Sequence, residues 1–236
     1  MPSSHQSHQS LPIYVQIAEL LTRDIVAGRL INGERLPPER DMASKFKVSV
    51  GTLRKALKNM AIKGLIESVQ GSGNYIRTDG DTGTIYAMFR LELLEGGGLP
   101  HAEVLDIRIL TKPQNFLAFG TSDKGTRIRR VRSLNKTIVG LEEIWLDANA
   151  GVISKNKISE SLYVTYREDL GIWIQRAEDR VGLGQIPEWA PKTFPEAPGK
   201  TVGYIERLSW GPSVIPIEFS RTWFDHKRAV YVQRLK

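Results

Sequence analysis

Residues 36–76 read LPPERDMASKFKVSVGTLRKALKNMAIKGLIESVQGSGNYI. The stretch divides into two short amphipathic helical patterns followed by a hairpin pattern around a Gly-Ser-Gly turn. Between Arg40 and Lys63 its charge is lopsided: Arg40, Lys45, Lys47, Arg54, Lys55, Lys58 and Lys63 stand against the single acid Asp41. A helix pair with a cationic outer face, followed by a two-stranded wing, suits the grip of a phosphate backbone.

The flanking apolar spacing fits that architecture. Tyr14, Ala18, Leu21 and Ile25 recur at helical intervals, so 11–27 should form a first helix with one buried stripe. Gly28 follows, where a residue with positive φ most easily ends a helix. The second helix should begin near Pro37 and Pro38, since a first turn tolerates proline, and should turn Met42, Ala43 and Phe46 inward. Ser49 is placed to cap the third helix by accepting from a first-turn amide. Leu53, Leu57 and Met60 supply that helix's apolar stripe, and Gly64 ends it. Thr52, Arg54, Lys55 and Lys58 lie off the stripe, where a recognition helix would meet the major groove.

Beyond Gly64, 65–69 and 74–77 are short extended runs around Gln70-Gly71-Ser72-Gly73. Glycine supplies the turn and lets backbone amides approach phosphates. Taken singly, each lysine reads equally as part of a solvated face. The combination of helix, turn, helix and glycine wing does not.

These residues carry a resemblance. Leu36-Pro37-Pro38-Glu39-Arg40, Ala43, Val48-Ser49, Thr52, Arg54, Ala56-Leu57, Gly64-Leu65 and Gly71-Ser72-Gly73 are similar to the GntR winged helix over about residues 11–78. The resemblance implies DNA contacts from Arg40, Ser49, Thr52, Arg54, Lys55, Ser72 and Gly73, with Gly73 at the wing tip. Val50 stands where many members carry arginine, which implies one guanine contact fewer.

Length and composition leave room for a second unit. A chain of 236 residues with 41% hydrophobic content can hold two domains, each with a core. The net charge of +7 favours an anionic partner. There is no cysteine, so neither a disulfide nor a thiolate metal site can form. No apolar run approaches the roughly 20 residues that span a bilayer. Residues 1–10, MPSSHQSHQS, lack the basic start and apolar centre of a signal peptide. They read as a disordered tail, with His5 and His8 part of it rather than metal ligands. A cytoplasmic location is expected, with no cofactor and no membrane partner. Small, polar residues at 79–84 mark a linker, which leaves 85–236 as the second domain.

In that domain 85–94, 103–111, 127–135, 138–146, 172–181, 202–210, 215–224 and 229–235 read as strands. Their connections are mostly too short for parallel crossovers, so antiparallel pairing is expected. Helices fit at 114–119 and 159–169. An α+β layer with one sheet face covered is the economical arrangement.

This half resembles the UTRA effector domain of HutC-type GntR regulators, whose fold is like that of chorismate lyase. The carrying residues are Arg127 to Arg132, Leu141-Glu142, Ser161-Leu162-Tyr163, and Pro216 to Arg221 with Trp223. The resemblance implies a small-molecule pocket, with Phe89 and Arg90 on an arm beside it. Arg130 and Arg132 alternate in a strand and project from one face, which suits a phosphate or carboxylate. They equally suit ion pairs with Glu142 or Glu143. Ser161 and Tyr163 open a predicted helix, whose positive end also favours an anion. Glu142 and Glu218 can accept from ligand hydroxyls or amines. Trp145, Trp173, Trp210 and Trp223 read as core.

Two functional classes follow. One is a ligand-responsive transcriptional regulator, a repressor that binds pseudo-palindromic operator DNA as a homodimer and senses a small anionic metabolite. The other is an enzyme on the lyase-like fold with a DNA-docking accessory. The sequence offers no nucleophile–base pair, metal spacing or phosphate loop for the second, and no catalytic residue is assigned.

Overall fold

The helices of the first unit stop where left-handed backbone becomes available. A computed structural model describes residues 12–77, 88–153, 158 and 161–234. Helices α1 (Ile13–Val26), α2 (Glu39–Lys45) and α3 (Val50–Ile62) end in the same device. Gly28 (φ 71°), Lys47 (φ 54°) and Gly64 (φ 70°) take positive φ. The next amide then donates five residues back: Arg29 to Asp24 at 2.8 Å, Val48 to Ala43 at 2.9 Å, Leu65 to Met60 at 2.9 Å. Lysine holds the position glycine usually takes at the turn between α2 and α3, so that turn carries some backbone strain.

The three helices share one core. Ile17, Ala18, Leu21 and Ile25 from α1, Met42 and Ala43 from α2, and Leu53, Ala56, Leu57 and Met60 from α3 are buried together. Tyr14 and Phe46 pack against them partly covered. The periodic stripes of the sequence are therefore the packed faces. Pro38 precedes α2 as its N-cap (φ −52°, ψ 140°) rather than entering its first turn. The extended conformation suits a residue that must bend the chain into a helix without donating an amide.

The wing is a hairpin of β1 (Ile66–Val69) and β2 (Gly73–Ile76), paired from Ile66↔Ile76 to Val69↔Gly73. Arg35 bridges to Tyr75, and Leu36 donates to Asn74 at 2.8 Å, so the approach to α2 adds a third edge. The turn itself is Gln70-Gly71-Ser72, closed by Ser72 N–H donating to Val69 at 3.0 Å. Gly73 is thus the first strand residue beyond the tip, because the closing bond falls one residue earlier.

The chain divides into two compact units. One comprises the described residues up to 91 with 97–99 and 231–234; the other comprises 92–96 and the described part of 100–230. Short strands β3 (Leu91–Leu93) and β10 (Ala229–Tyr231) pair with each other. The expected strand 85–94 is reduced to β3, with 85–87 outside the described residues.

The second unit is built on a six-stranded sheet in the order β4-β5-β6-β9-β8-β7. Its strands are β4 (Pro100–Thr111), β5 (Lys124–Leu134), β6 (Thr137–Asp147), β7 (Arg176–Gln185), β8 (Thr201–Trp210) and β9 (Glu218–Phe224), and every pairing is antiparallel. Helix α4 (Leu162–Leu170) covers one face, where Ile128, Ile144, Leu146, Leu162 and Tyr166 pack together. The opposite face carries Val131, Leu141, Val202 and Trp223 under Ile186 and Phe194, and Trp145 with Phe119 and Phe219. Among the described residues no helix is long and apolar enough to cross a membrane.

Two expectations fail here. Residues 114–119 form a turn, not a helix. Pro113 leaves room for one reverse turn, and Phe116 and Phe119 are drawn onto Phe219, with ring centroids 4.8 and 5.9 Å away. The expected strand 172–181 lies at Arg176–Gln185 instead. Ile172 is taken into the α4 cluster, while the true edge strand is mostly exposed and polar, so apolar content pointed to the wrong end.

Candidate nucleic-acid interface and effector site

In the first unit, α3 presents its off-stripe residues outward. The Ser49 hydroxyl accepts from the Thr52 amide at 3.1 Å and lies 2.9 Å from the Thr52 hydroxyl, so the predicted cap forms and also fixes Thr52. Arg54, Lys55 and Lys58 are exposed, as is Arg40 at the start of α2. The Arg54 side chain is 68% accessible and its Nε donates to Glu39 at 2.7 Å. An exposed pair of this kind is worth only about 0–1 kcal/mol, so it orients the guanidinium without withholding it from a stronger partner. Lys63 departs from the cationic face. It donates to the buried Glu19 at 3.0 Å and ties α3 to α1.

On the wing the Ser72 hydroxyl lies 2.6 Å from the Tyr75 hydroxyl. Gly73 has φ 125°, and a Cβ there would meet Arg35 Nε at 3.2 Å. The wing therefore carries its own cation, Arg35, beside the glycine turn. The sequence reading omitted Arg35; its position just before Leu36-Pro37-Pro38 was the available signal.

Phe89 and Arg90 belong to this same unit. The Arg23 guanidinium of α1 lies 5.3 Å from the Phe89 ring centre and donates to the Leu91 carbonyl at 3.2 Å. Arg90 Nε donates to Gln233 at 2.7 Å.

In the second unit the strand register places charge on the face that α4 covers. Arg130 pairs across from Glu142, and Arg132 across from Gly140, so both guanidiniums flank one carboxylate. Arg130 Nη2 lies 2.6 Å from Glu142 Oε2, and Arg132 Nε lies 2.9 Å from Oε1. All three side chains are buried. Burial pushes the Glu142 carboxyl up, but Arg130 and then Arg132 outweigh it and hold it down at about 2. Burial lowers Arg130 from its ordinary value, against the pull of Glu142.

Farther along the face lies a second cluster. Ser209 opposes Glu218 in the β8–β9 register, and its hydroxyl donates to Glu218 at 2.8 Å. Tyr166 donates to the other Glu218 oxygen at 2.5 Å, and Tyr163 donates at 3.4 Å while lying 3.2 Å from Ser209. Burial raises the Glu218 carboxyl, although bonds from Tyr166 and Ser209 and the charges of Arg207 and Arg130 work against it. Burial, with the Glu218 charge, pushes the Tyr163 phenol up to about 12 and Tyr166 well above its usual value. Arg207 is held bidentately by Asp179 at 2.5 and 2.7 Å. Ser161 is buried as the N-cap of α4, where its carbonyl accepts from Val164 and Thr165 at 3.1 and 3.3 Å.

Arg130, Arg132, Glu142, Ser161, Tyr163 and Glu218 are thus brought into one unit, with the sheet members on the face beneath α4. Tyr166, Ser209, Arg207 and Asp179 complete the polar set and were missed. The spacing of Tyr163 and Tyr166, one helical turn apart, was a usable signal; the opposition of Ser209 and Glu218 needed the register.

Comparison with known proteins meets this geometry. Residues 13–76 match the model of bacterial regulatory proteins of the gntR family, and 95–229 match the UTRA domain. The HTH-type transcriptional regulator SmoD of Agrobacterium fabrum is 53% identical over 228 residues, covering 96% of this chain and 97% of that protein. The chain belongs to the gntR family of bacterial regulatory proteins. As a GntR protein with a UTRA domain it is a DNA-binding transcriptional regulator, and not an enzyme. The HTH-type transcriptional repressor NagR of Bacillus subtilis is 26% identical over 94% of the chain and 90% of its own length. The crystal structure of the possible transcriptional regulator YydK from Bacillus subtilis shares the fold, with TM-score 0.53 and 22% identity over 96% of this chain and 100% of that one.

Proposed function

We propose that this GntR protein is a cytoplasmic, HutC-type repressor that binds a pseudo-palindromic operator as a homodimer and releases it when a small anionic metabolite enters the UTRA domain. Residues 11–78 read the DNA, 79–84 link, and 85–236 form the effector domain. Within it the sheet unit in 100–230 holds the effector, and the flanking 88–91 and 231–234 group with the DNA-binding unit. Arg40, Ser49, Thr52, Arg54, Lys55, Ser72 and Gly73 supply the DNA contacts. Among these, Arg54 is the side chain suited to a guanine edge. The NagR relative, whose name is that of a repressor, supports the sign of regulation.

The observation that carries the effector reading is the convergence of two buried guanidiniums on one carboxylate, in the unit that also holds Glu218 with its three hydroxyl neighbours. Burying charge is expensive unless it is closely paired. Two neighbouring guanidiniums on one face, Arg130 and Arg132, suit a ligand that carries a carboxylate or phosphate of its own. The hydroxyl-rich end around Tyr163, Ser161 and Glu218 then suits the ligand's polar remainder. An effector coupled to operator release needs a differential affinity for the two states of about 1–3 kcal/mol.

A thermal-shift screen of carboxylated, phosphorylated and neutral metabolites, with and without operator duplex, tests this reading. Anionic compounds should raise the melting temperature and weaken operator binding. Stabilisation by neutral compounds alone would remove the anionic effector. With a compound in hand, Arg132→Ala should abolish the response while leaving operator affinity unchanged, because Arg130 still pairs Glu142. Arg54→Ala should weaken operator binding by about 1–3 kcal/mol and relax preference at one base pair. Fluorescence anisotropy against single-base operator variants reads both quantities; an unchanged preference profile would show that Arg54 contacts only the backbone.

A further inference from the structure

The six-stranded sheet has two edges, and they are built differently. β4 begins at Pro100, shifts register between Val104 and Asp106, and keeps Asp106 engaged with Arg108 and Arg127. Proline, bulges and charge are the usual ways of making an edge unfit for pairing. β7 has none of the first two. Its ladder to β8 runs unbroken from Arg176↔Trp210 to Gln185↔Thr201, and among the described residues no strand lies beyond it. It leaves Val181 52% and Leu183 76% exposed.

The backbone of β7 is oriented for a partner. Just past the strand, Ile186 donates to Lys200 at 2.9 Å. Alternation along an antiparallel ladder then directs the N–H and C=O of even-numbered residues toward β8. Those of Ala177, Asp179, Val181 and Leu183 point outward.

We propose that this edge pairs with β7 of a second copy, antiparallel and centred on Asp179, to form a continuous sheet across the dimer. The inference rests on the homodimer proposed above and names its surface. The strand reads Arg176-Ala-Glu178-Asp179-Arg180-Val181, and a two-fold at Asp179 sets Glu178 of each copy opposite Arg180 of the other. Within one copy these two are only loosely paired at 3.4 Å, with side chains 48% and 57% exposed, so they are available across the interface. On the other face Val181 meets Ala177 of the second copy. The two central Asp179 carboxylates do not repel strongly, since each is already held bidentately by Arg207. Centring on Arg180 instead would oppose like charges, which disfavours that register.

Sedimentation equilibrium of the full-length protein tests the pairing through charge exchange. Glu178→Arg and Arg180→Glu should each weaken the dimer roughly tenfold by creating two like-charge oppositions. The double variant should return it to within about threefold of wild type, since the pairs re-form with their signs exchanged. Val181→Pro removes an outward donor but no bond to β8, and should give monomer with a near-native melt. If wild type is dimeric and neither the charge reversals nor Val181→Pro shifts its dissociation, the β7 edge is overturned while the dimeric operator reader stands. A wild-type chain that stays monomeric at operator-binding concentrations overturns both.

Discussion

Glu142→Ala is expected to destabilise the sheet unit by about 3–5 kcal/mol, because it leaves two guanidiniums in the interior without the carboxylate they share. The Arg130 and Arg132 side chains are 3% and 7% accessible, so in the unliganded protein water solvates neither well enough to replace the carboxylate. Denaturant unfolding followed by tryptophan fluorescence measures the loss, since Trp145 lies in the same strand. A loss below about 1 kcal/mol would show that the arginines find solvent or another anion instead. Acid should erase the difference. The folded Glu142 carboxyl is held at about 2 against an ordinary 4.5. Its contribution is therefore fully present above about pH 4.5 and disappears as the pH falls toward 2. Glu218 works in the opposite sense, since its folded value is raised; its contribution is present at low pH and is lost as the pH rises through that value. Comparing wild type with Glu142→Gln across this range isolates Glu142: the gap in stability should narrow steadily on acidification.

Much of the DNA-binding unit was legible because its signals are local. The Ser49 cap, the stripes of α1 and α3, and the ends at Gly28 and Gly64 depend on residues within a turn or two of one another. The strands β5, β6, β8 and β9 were also visible, since apolar alternation over ten or so residues is hard to mistake. Legibility failed where tertiary partners decide. Residues 114–119 have a helical look, yet Phe116 and Phe119 gain more by stacking on Phe219 than a six-residue helix could supply. β7 carries few apolar residues and two glycines, and exists because β8 offers a ladder. The candidate effector site divides in the same way. That Arg130 and Arg132 share a face follows from strand period alone, but that Glu142 sits between them depends on which residue of β6 lies opposite. The sequence left ion pairing with Glu142 or Glu143 open. The structure uses both acids, with Glu143 on the other face accepting from Arg129 and Arg221 at 2.7 and 2.5 Å.

Leu53→Ala should remove operator binding at physiological temperature without touching a DNA-contacting group. Leu53 is fully buried in α3, between Thr52 and Arg54 in sequence, and packs into the core shared by all three helices. Truncating a leucine in such a site costs about 2–5 kcal/mol, the lost transfer energy plus the cavity left behind. Domains as small as this one are stable by only about 5–15 kcal/mol, and usually nearer the lower figure. The substitution should therefore lower the melting transition of the helical unit by roughly 10 °C or more, since about 1 kcal/mol moves a domain of this size by 4–8 °C. The sheet unit has its own core and should melt as in wild type. The comparison with Arg54→Ala separates stability from recognition. Leu53→Ala should regain operator affinity on cooling, as the helices refold with Thr52, Arg54 and Lys55 restored to one face, whereas Arg54→Ala should stay weak at every temperature with an unchanged melt. Full operator affinity for Leu53→Ala at 37 °C would mean that the buried stripe of α3 is not what presents its cationic side to the groove.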